Sequence, residues 1–473
     1  MGGTECSLNK TSYGRARSLF TTLELNYYGQ LYAKFCGNSN KIDWEVFQSM
    51  FDSMWGSNYV RKLFEYFCSA QDKEASKFTS LDLDTFIFGL AYVLKGDADE
   101  KLNLFFKLCE TDDARDSNEL AFVEVKLVVN KLVDQYMNVI RQSPSYQYWT
   151  FEKNSNDDAL FLSDYFSNNL ETYLTKSGHI DGDNFVPRQL IQKWLIRDGS
   201  IILEMISCAV NFALEKALPG GPFIFPLIPT PTNNAACVSI LNLPSVVILS
   251  NNITVSGSAN SNAGSWKLLY DSKKHGESFT NMLKSIMDEG PLLVVVQEKE
   301  TNYTFGGFCS TNMNLNPNFV GDDRCFVFSI SPYVRVFPAT GFNGNYAYLN
   351  AYQATMPNGL GFGGRLQMDE IKIHFFSLWL DQDFGRGKSQ AYGSTYSSPQ
   401  LSAKENFDVE KVEIWAVGRK PDTQKRRDSK SILDSNPEMK AILAMTGKGP
   451  VSEGLRDFDE TADIPEDRKF MNA

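Results

Sequence analysis

The sequence predicts a multidomain α+β protein: a helical N-terminal part, a proline-rich connector, and a β-sandwich with short helices attached. Three observations carry that prediction. At 473 residues the chain exceeds what one hydrophobic core usually organises. Apolar residues recur at helical spacing between Leu19 and Leu218, whereas from Trp266 to Val417 they fall in short branched and aromatic runs divided by Gly, Asn and Pro. Between the two, Pro219-Gly220-Gly221-Pro222, followed by Pro226, Pro229 and Pro231, can neither continue a helix nor enter a central strand.

Residues 1–18 read as an unstructured polar leader without the apolar core of a secretory signal. Gly2 follows the initiator Met as N-myristoylation requires, although Cys6 replaces the usual Ser or Thr and Ser7 comes one place late. Cys6 is itself a candidate palmitoyl acceptor, and Lys10, Arg15 and Arg17 can face an anionic membrane surface. A second chain or basic patch turns marginal anchoring into stable anchoring.

Residues 19–218 are predicted to be helical, with segments at Trp44–Trp55, Val60–Cys68, Thr85–Leu94, Lys101–Cys109, Ala121–Val139 and Asp158–Leu174. The most apolar run, Ile201 to Leu218, is interrupted by Glu204, Asn211 and Glu215, and reads as a core helix, not a membrane span. Several of these segments, joined by polar loops, resemble EF-hand pairs. The best loop runs from Asp113 to Glu124 with Leu120 at the apolar eighth position, but Arg115 stands at a ligand position and Asn118 where the turn glycine belongs. Asp113 and Glu124 are therefore weak metal candidates. The loops Phe35 to Val46 and Tyr173 to Asn184 are poorer still, so a degenerate EF-hand-like scaffold that no longer senses calcium is expected.

After the connector, residues 219–235, come the features of the sandwich. Leu292 to Val296 is a branched apolar run between Gly290-Pro291 and the charges of Glu298 and Lys299, which predicts a strand buried on both faces. Val327, Ile330, Ile371, Ile373, Phe375, Val412 and Ile414 mark further strands, and Phe279 to Asp288 the one good helix; Asn251 to Ser265 reads as a flexible loop. Glycines 306, 307, 361, 363 and 364 are expected where backbones approach closely or φ must be positive. In the tail, residues 419–473, a basic stretch precedes a short helix at 436–446 with Pro437 at its start and one apolar face of Met439, Ile442 and Leu443.

A formal charge of −11 without a basic stripe argues against nucleic-acid binding. The eight cysteines show neither paired nor metal-ligand spacing, which points to free thiols in a reducing compartment. Three histidines are too few for a metal cage. His275 with Ser278 and Glu277, and Cys309, are the only groups that suggest a nucleophile, and no Gly-x-Ser-x-Gly or phosphate loop frames one. A protein without enzymatic activity or cofactor is expected.

The landmarks from Trp266-Lys267-Leu268-Leu269-Tyr270 through Phe305-Gly306-Gly307-Phe308, Gly359-Leu360-Gly361-Phe362-Gly363-Gly364 and Leu378-Trp379-Leu380-Asp381 to Ile414-Trp415 resemble the TLDc family in order and kind, over about a third of the chain. With its flanks the chain looks like the lysosomal, myristoylated branch linked to target-of-rapamycin signalling. That resemblance implies a TLDc domain at 236–418 and a peripheral adaptor on the cytosolic face of the lysosomal membrane, or in the cytoplasm. It implies binding to the vacuolar-type proton ATPase, with target-of-rapamycin complex components as further partners, and a C-terminal helix that inserts Met439, Ile442 and Leu443 into a partner groove. Two alternatives stand beside it: a calcium-responsive membrane switch, and an oxidative-stress protective protein with weak antioxidant activity through Cys309 or His275.

Overall fold

The computed structural model describes residues 15–36, 40–69, 80–111, 118–152, 157–179, 184–223, 228–232, 238–253, 264–367 and 372–417. Its helical half is a succession of helix–loop–helix units. The first loop is flanked by α1 (Thr22–Cys36) and α2 (Trp44–Trp55), the second by α3 (Ser57–Ser69) and α4 (Leu83–Lys95). The third lies between α5 (Ala98–Cys109) and α6 (Phe122–Arg141), the fourth between α7 (Asp158–Lys176) and α8 (Arg188–Arg197). Loops join in pairs through two short antiparallel ribbons, β1 (Ile42–Asp43) with β2 (Ser80–Leu81) and β3 (Glu119–Ala121) with β4 (Phe185–Pro187). This is the paired architecture of EF-hands, and the predicted helices all form within it.

Local chemistry sets the helix starts. Asp43 and Asp82 accept hydrogen bonds from the third-residue N–H groups of α2 and α4, at 3.0 and 2.8 Å, and Asp97 with Glu100 closes a reciprocal capping box on α5. The apolar run expected as a core helix is α9 (Ser200–Ala217), which packs against α2, α4, α5, α6 and α8. Glu204, which breaks up its hydropathy, projects to the surface and pairs with Lys101 at 2.8 Å. Among the described residues no helix is long and apolar enough to cross a membrane.

One helix was not expected. Leu243–Asn252 forms α10, where Phe279 to Asp288 was the one helix predicted for the sandwich and Asn251 was placed in a loop. Its residues from Leu243 to Ser250 are all buried, so no polar face marks the period. The start signals were nonetheless present: Asn242 and Ser245 form a capping box, with Pro244 in the first turn.

Twelve strands among the described residues form one hydrogen-bonded sheet that folds back on itself. One layer contains β5 (Thr230–Thr232), β6 (Ser265–Asp271), β7 (Leu292–Glu298), β8 (Thr304–Cys309), β10 (Phe326–Ser331) and β11 (Arg335–Pro338). The other contains β9 (Asn316–Val320), β12 (Ala347–Asn350), β13 (Gly359–Gln367), β14 (Lys372–Asp381) and β15 (Arg386–Lys388). The long β16 (Asn406–Val417) belongs to both: Asn406 to Asp408 pair with β15, whereas Val409 to Ala416 pair with β7, and Glu413 to Val417 also pair with β6. Connector residues 230–232 join as an edge strand parallel to β6, a position that tolerates Pro231.

Side-chain alternation along β7 explains how the halves fit together. Leu292, Val294 and Val296 point into the core between the two layers, and Leu293 and Val295 into the core shared with the helices. Phe308, Phe326, Phe328, Trp415 and Val417 join the helical side, while Phe305, Val327, Val412 and Ile414 join the inner side. Every residue of β7 is buried, as its unbroken apolar run predicted. The glycines act as expected. A Cβ at Gly307 would meet the Phe362 ring of the opposite layer at 2.6 Å, and Gly363 and Gly364 hold φ of 75° and 89°.

Candidate functional site

The calcium candidates can be placed first. Leu120 pairs with Val186 across the second ribbon, so each sits at the eighth position of its loop. With Asp113 to Glu124 taken as the frame of the third loop, Leu120 is its eighth residue and Val186 the equivalent residue of the fourth. That register corrects the fourth: Tyr173 lies inside α7, and the equivalent frame begins at His179 and closes at Leu190. The Gly178-x-Ile180 pattern imitated a loop centre six residues early. A further loop, with Leu81 opposite Ile42, was missed because Thr85 stands where its closing carboxylate would belong.

Glu124 stands in the first turn of α6, half-buried; Asp113 lies outside the described residues. At the described end of this loop, the Arg188 backbone N–H donates to Asn118 O at 2.9 Å, while the Arg188 guanidinium pairs with Glu110 at 3.0 Å and lies over the Phe106 ring. Among the described residues no three His, Cys, Asp or Glu side chains converge on a metal position.

His275 ends the short helix α11 (Ser272–His275). Its Nδ1 accepts the Asp271 N–H at 2.9 Å, and its ring stacks on Tyr270. Ser278 caps the helix α12 (Phe279–Ile286), and Glu277 pairs with Lys273 at 3.1 Å. These side chains hold one turn of chain in shape; they do not form a relay.

Cys309 has a neighbour that the sequence did not single out. Phe308 pairs with Phe326, and continuing that register sets Cys309 opposite Cys325, both fully buried and free. The Ser310 N–H and hydroxyl lie 3.4 and 3.3 Å from Cys325 Sγ, and Thr311 Oγ1 lies 3.6 Å from Cys309 Sγ. The hydrogen bond between the thiols holds Cys325 below and Cys309 above the ordinary thiol range. Gly321 covers the pair at φ 101°; a Cβ there would meet Cys325 Sγ at 2.6 Å.

Beside the seam lies a buried polar knot, tied to the helical half through Ser239, whose N–H donates to Thr150 O and whose carbonyl accepts the Glu152 N–H, both at 2.9 Å. Glu413 accepts hydrogen bonds from the Ser239 hydroxyl (2.7 Å), the Ile240 N–H (2.9 Å) and the Trp415 indole N–H (3.2 Å), and lies 2.9 Å from Lys411 Nζ. Burial pushes its carboxyl above the usual range, against the opposing effect of Lys411 and these donors. Nearby, the Trp149 indole N–H donates to Pro229 O at 2.8 Å, and its ring contacts Trp266 and Trp415.

Residues 238–418 match the TLDc domain model. The chain is 31% identical over 481 residues to MTOR-associated protein MEAK7 of Xenopus laevis, covering 97% of this chain and 99% of that protein. It is 33% identical over 398 residues to the protein of that name in Gallus gallus, 80% of each. The chain belongs to the MEAK7 family. Similarity to Oxidation resistance protein 1 of Bos taurus, 31% over 152 residues, covers 32% of the chain and 16% of that protein. The MEAK7 match therefore takes in the helical half as well as the sheet. Gly2, Cys6, Met439, Ile442 and Leu443 lie outside the described residues.

Proposed function

We propose that this protein is a non-catalytic adaptor in target-of-rapamycin signalling that works from the cytosolic face of the lysosomal membrane by gripping the vacuolar-type proton ATPase. The observation that carries the link is the near end-to-end similarity to a relative named as mTOR-associated, across both halves and the seam between them. Helices and sandwich share one core, so two recognition surfaces are presented at fixed spacing, and two weak contacts on one partner multiply through effective concentration. Attachment through Gly2, with Cys6 or the basic residues near it as second signal, would concentrate the adaptor on the membrane, and the tail helix carrying Met439, Ile442 and Leu443 would reach a neighbouring subunit.

The test is purification of the full chain from lysosomal membranes, with identification of co-purifying subunits and a proton-pumping assay. Recovery of the pump, weakened or altered by deletion of residues 436–473, supports the reading; a chain that ignores the pump and leaves acidification unchanged overturns it. A second reading, protection against oxidative stress, is favoured by the Cys309–Cys325 pair and by the similarity to Oxidation resistance protein 1. It predicts peroxide consumption that Cys325→Ser abolishes.

A further inference from the structure

At one margin of the sheet, β11 hydrogen-bonds to β10 on one side, and among the described residues no strand lies along its other side. That free side faces a cleft of about 650 Å3 walled by the helical half. The lining shows that the strand is met edge-on. All four residues of β11, Arg335 to Pro338, contribute to it, as do Val334 before them and Ala339 and Thr340 after; the Thr340 N–H is taken by Thr395 O at 2.8 Å, which ends the open edge there. Successive side chains of a strand point to opposite faces, so only an open edge presents consecutive residues to one space. Antiparallel pairing with β10 leaves alternate residues of the strand with N–H and C=O directed outward.

The facing wall is polar. Asn168, Thr172 and Lys176, spaced four apart, form one stripe of α7 along the cleft. Lys176 on this wall and Arg335 on the strand are both exposed, and neither makes an ion pair in the described structure. Arg197, also in the lining, is neutralised by Asp198 at 2.5 Å. In a chain of formal charge −11, the cleft therefore carries two uncompensated cations on opposite sides of a slot. The slot runs on past Val336 and Pro338 to Val247 and Asn251 of α10, where Asp323 adds an exposed carboxylate and Arg324 pairs with Asp322, so the cationic part is the stretch between Arg335 and Lys176. Cations and a proline also guard edge strands against chance pairing. Pro338 closes one end in that way, but Arg335 repels only strands of its own sign.

We propose that the free edge of β11, with the Lys176 stripe of α7, receives an extended acidic peptide segment of a partner protein as an added strand. Ladder hydrogen bonds would supply the affinity and the two cations the selectivity. The proposal is independent of the pump reading, since any partner bearing such a segment would satisfy it.

The probe is a fluorescent heptapeptide alternating Glu or Asp with Val, measured by anisotropy against the full chain at low salt. Two controls share its length: one with every acid replaced by Lys, and one with alternate backbone amides N-methylated. The acidic probe is expected to bind at least roughly tenfold more tightly than either control. Arg335→Glu and Lys176→Glu, both at exposed positions, are each expected to weaken it roughly tenfold while leaving the melting temperature unchanged. Absence of binding at millimolar peptide, equal binding of the Lys control, indifference to N-methylation, or full affinity in the Arg335→Glu variant would overturn the proposal. So would a self-associated dimer through this edge that the peptide cannot dissociate.

Discussion

The Ser239 hydroxyl and the Glu413 carboxylate, 174 residues apart in the chain, meet at 2.7 Å where the chain enters the sheet-bearing half. Because burial raises the Glu413 pKa, the folded protein binds a proton more tightly than the unfolded chain between the unfolded value and the raised folded one. Stability should therefore fall as pH rises from about 4.5 through the raised folded value. Glu413→Gln keeps the size and one acceptor without the titration, so its urea midpoint should lose that slope relative to the parent. An identical pH profile in the variant would remove Glu413 from the account.

Leu293 is fully buried in the core that helices and sheet hold in common. Leu293→Ala is expected to cost about 2–5 kcal/mol. The loss should appear equally in hydrogen-exchange protection of α9 and of β7, since both lean on that core. Protection lost from the sheet alone would show that the halves unfold separately.

Glycine substitution should divide sharply by position. A Cβ at Gly306 would run into the Val294 carbonyl oxygen and lie 2.6 Å from the Phe328 ring, whereas at Gly385 it would meet nothing within 4 Å. Gly306→Ala should cost more than ~3 kcal/mol because backbone cannot yield, and Gly385→Ala should be neutral within about 0.5 kcal/mol. Thermal unfolding of both variants checks the contrast.

Calcium at millimolar concentration should neither release measurable heat nor raise the melting temperature, given Arg115 at a ligand position of the third loop and Asn118 in place of its turn glycine. Glu124→Gln should leave that null result unchanged. Heat that disappears in the variant would restore the calcium-switch reading.

Thiolate absorbance should appear below the ordinary thiol range, since the contact with Cys309 and the Ser310 donors lower the Cys325 pKa. Cys325→Ser should abolish this early titration. By the same linkage, Cys325 contributes stability above the unfolded thiol pKa of about 9 that is lost as pH falls through its lowered folded value.

Much of the fold could be read because it rests on period. The runs at Trp44–Trp55 and Ile201 to Leu218 have a stripe or a length that only a helix satisfies, and Leu292 to Val296 is apolar throughout because both of its faces are covered. Legibility failed where local signals were silent or misleading. Leu243–Asn252 is buried all round and so has no period, and Gly178-x-Ile180 copied a loop centre that only the pairing of Leu120 with Val186 could exclude. Partnership was hidden for a different reason: Cys309 and Cys325 are 16 positions apart, and their meeting depends on a strand register that no spacing rule encodes.

The two-sided burial of β7 also limits how this protein can change over generations. A single-residue insertion there would send every following side chain to the opposite interior, trading positions shaped by helices for positions shaped by a second layer of strands. The strand can drift in its choice of Val, Leu or Ile but not in its length, so gains and losses of residues should accumulate in the loops around it and leave this segment at constant length across the family.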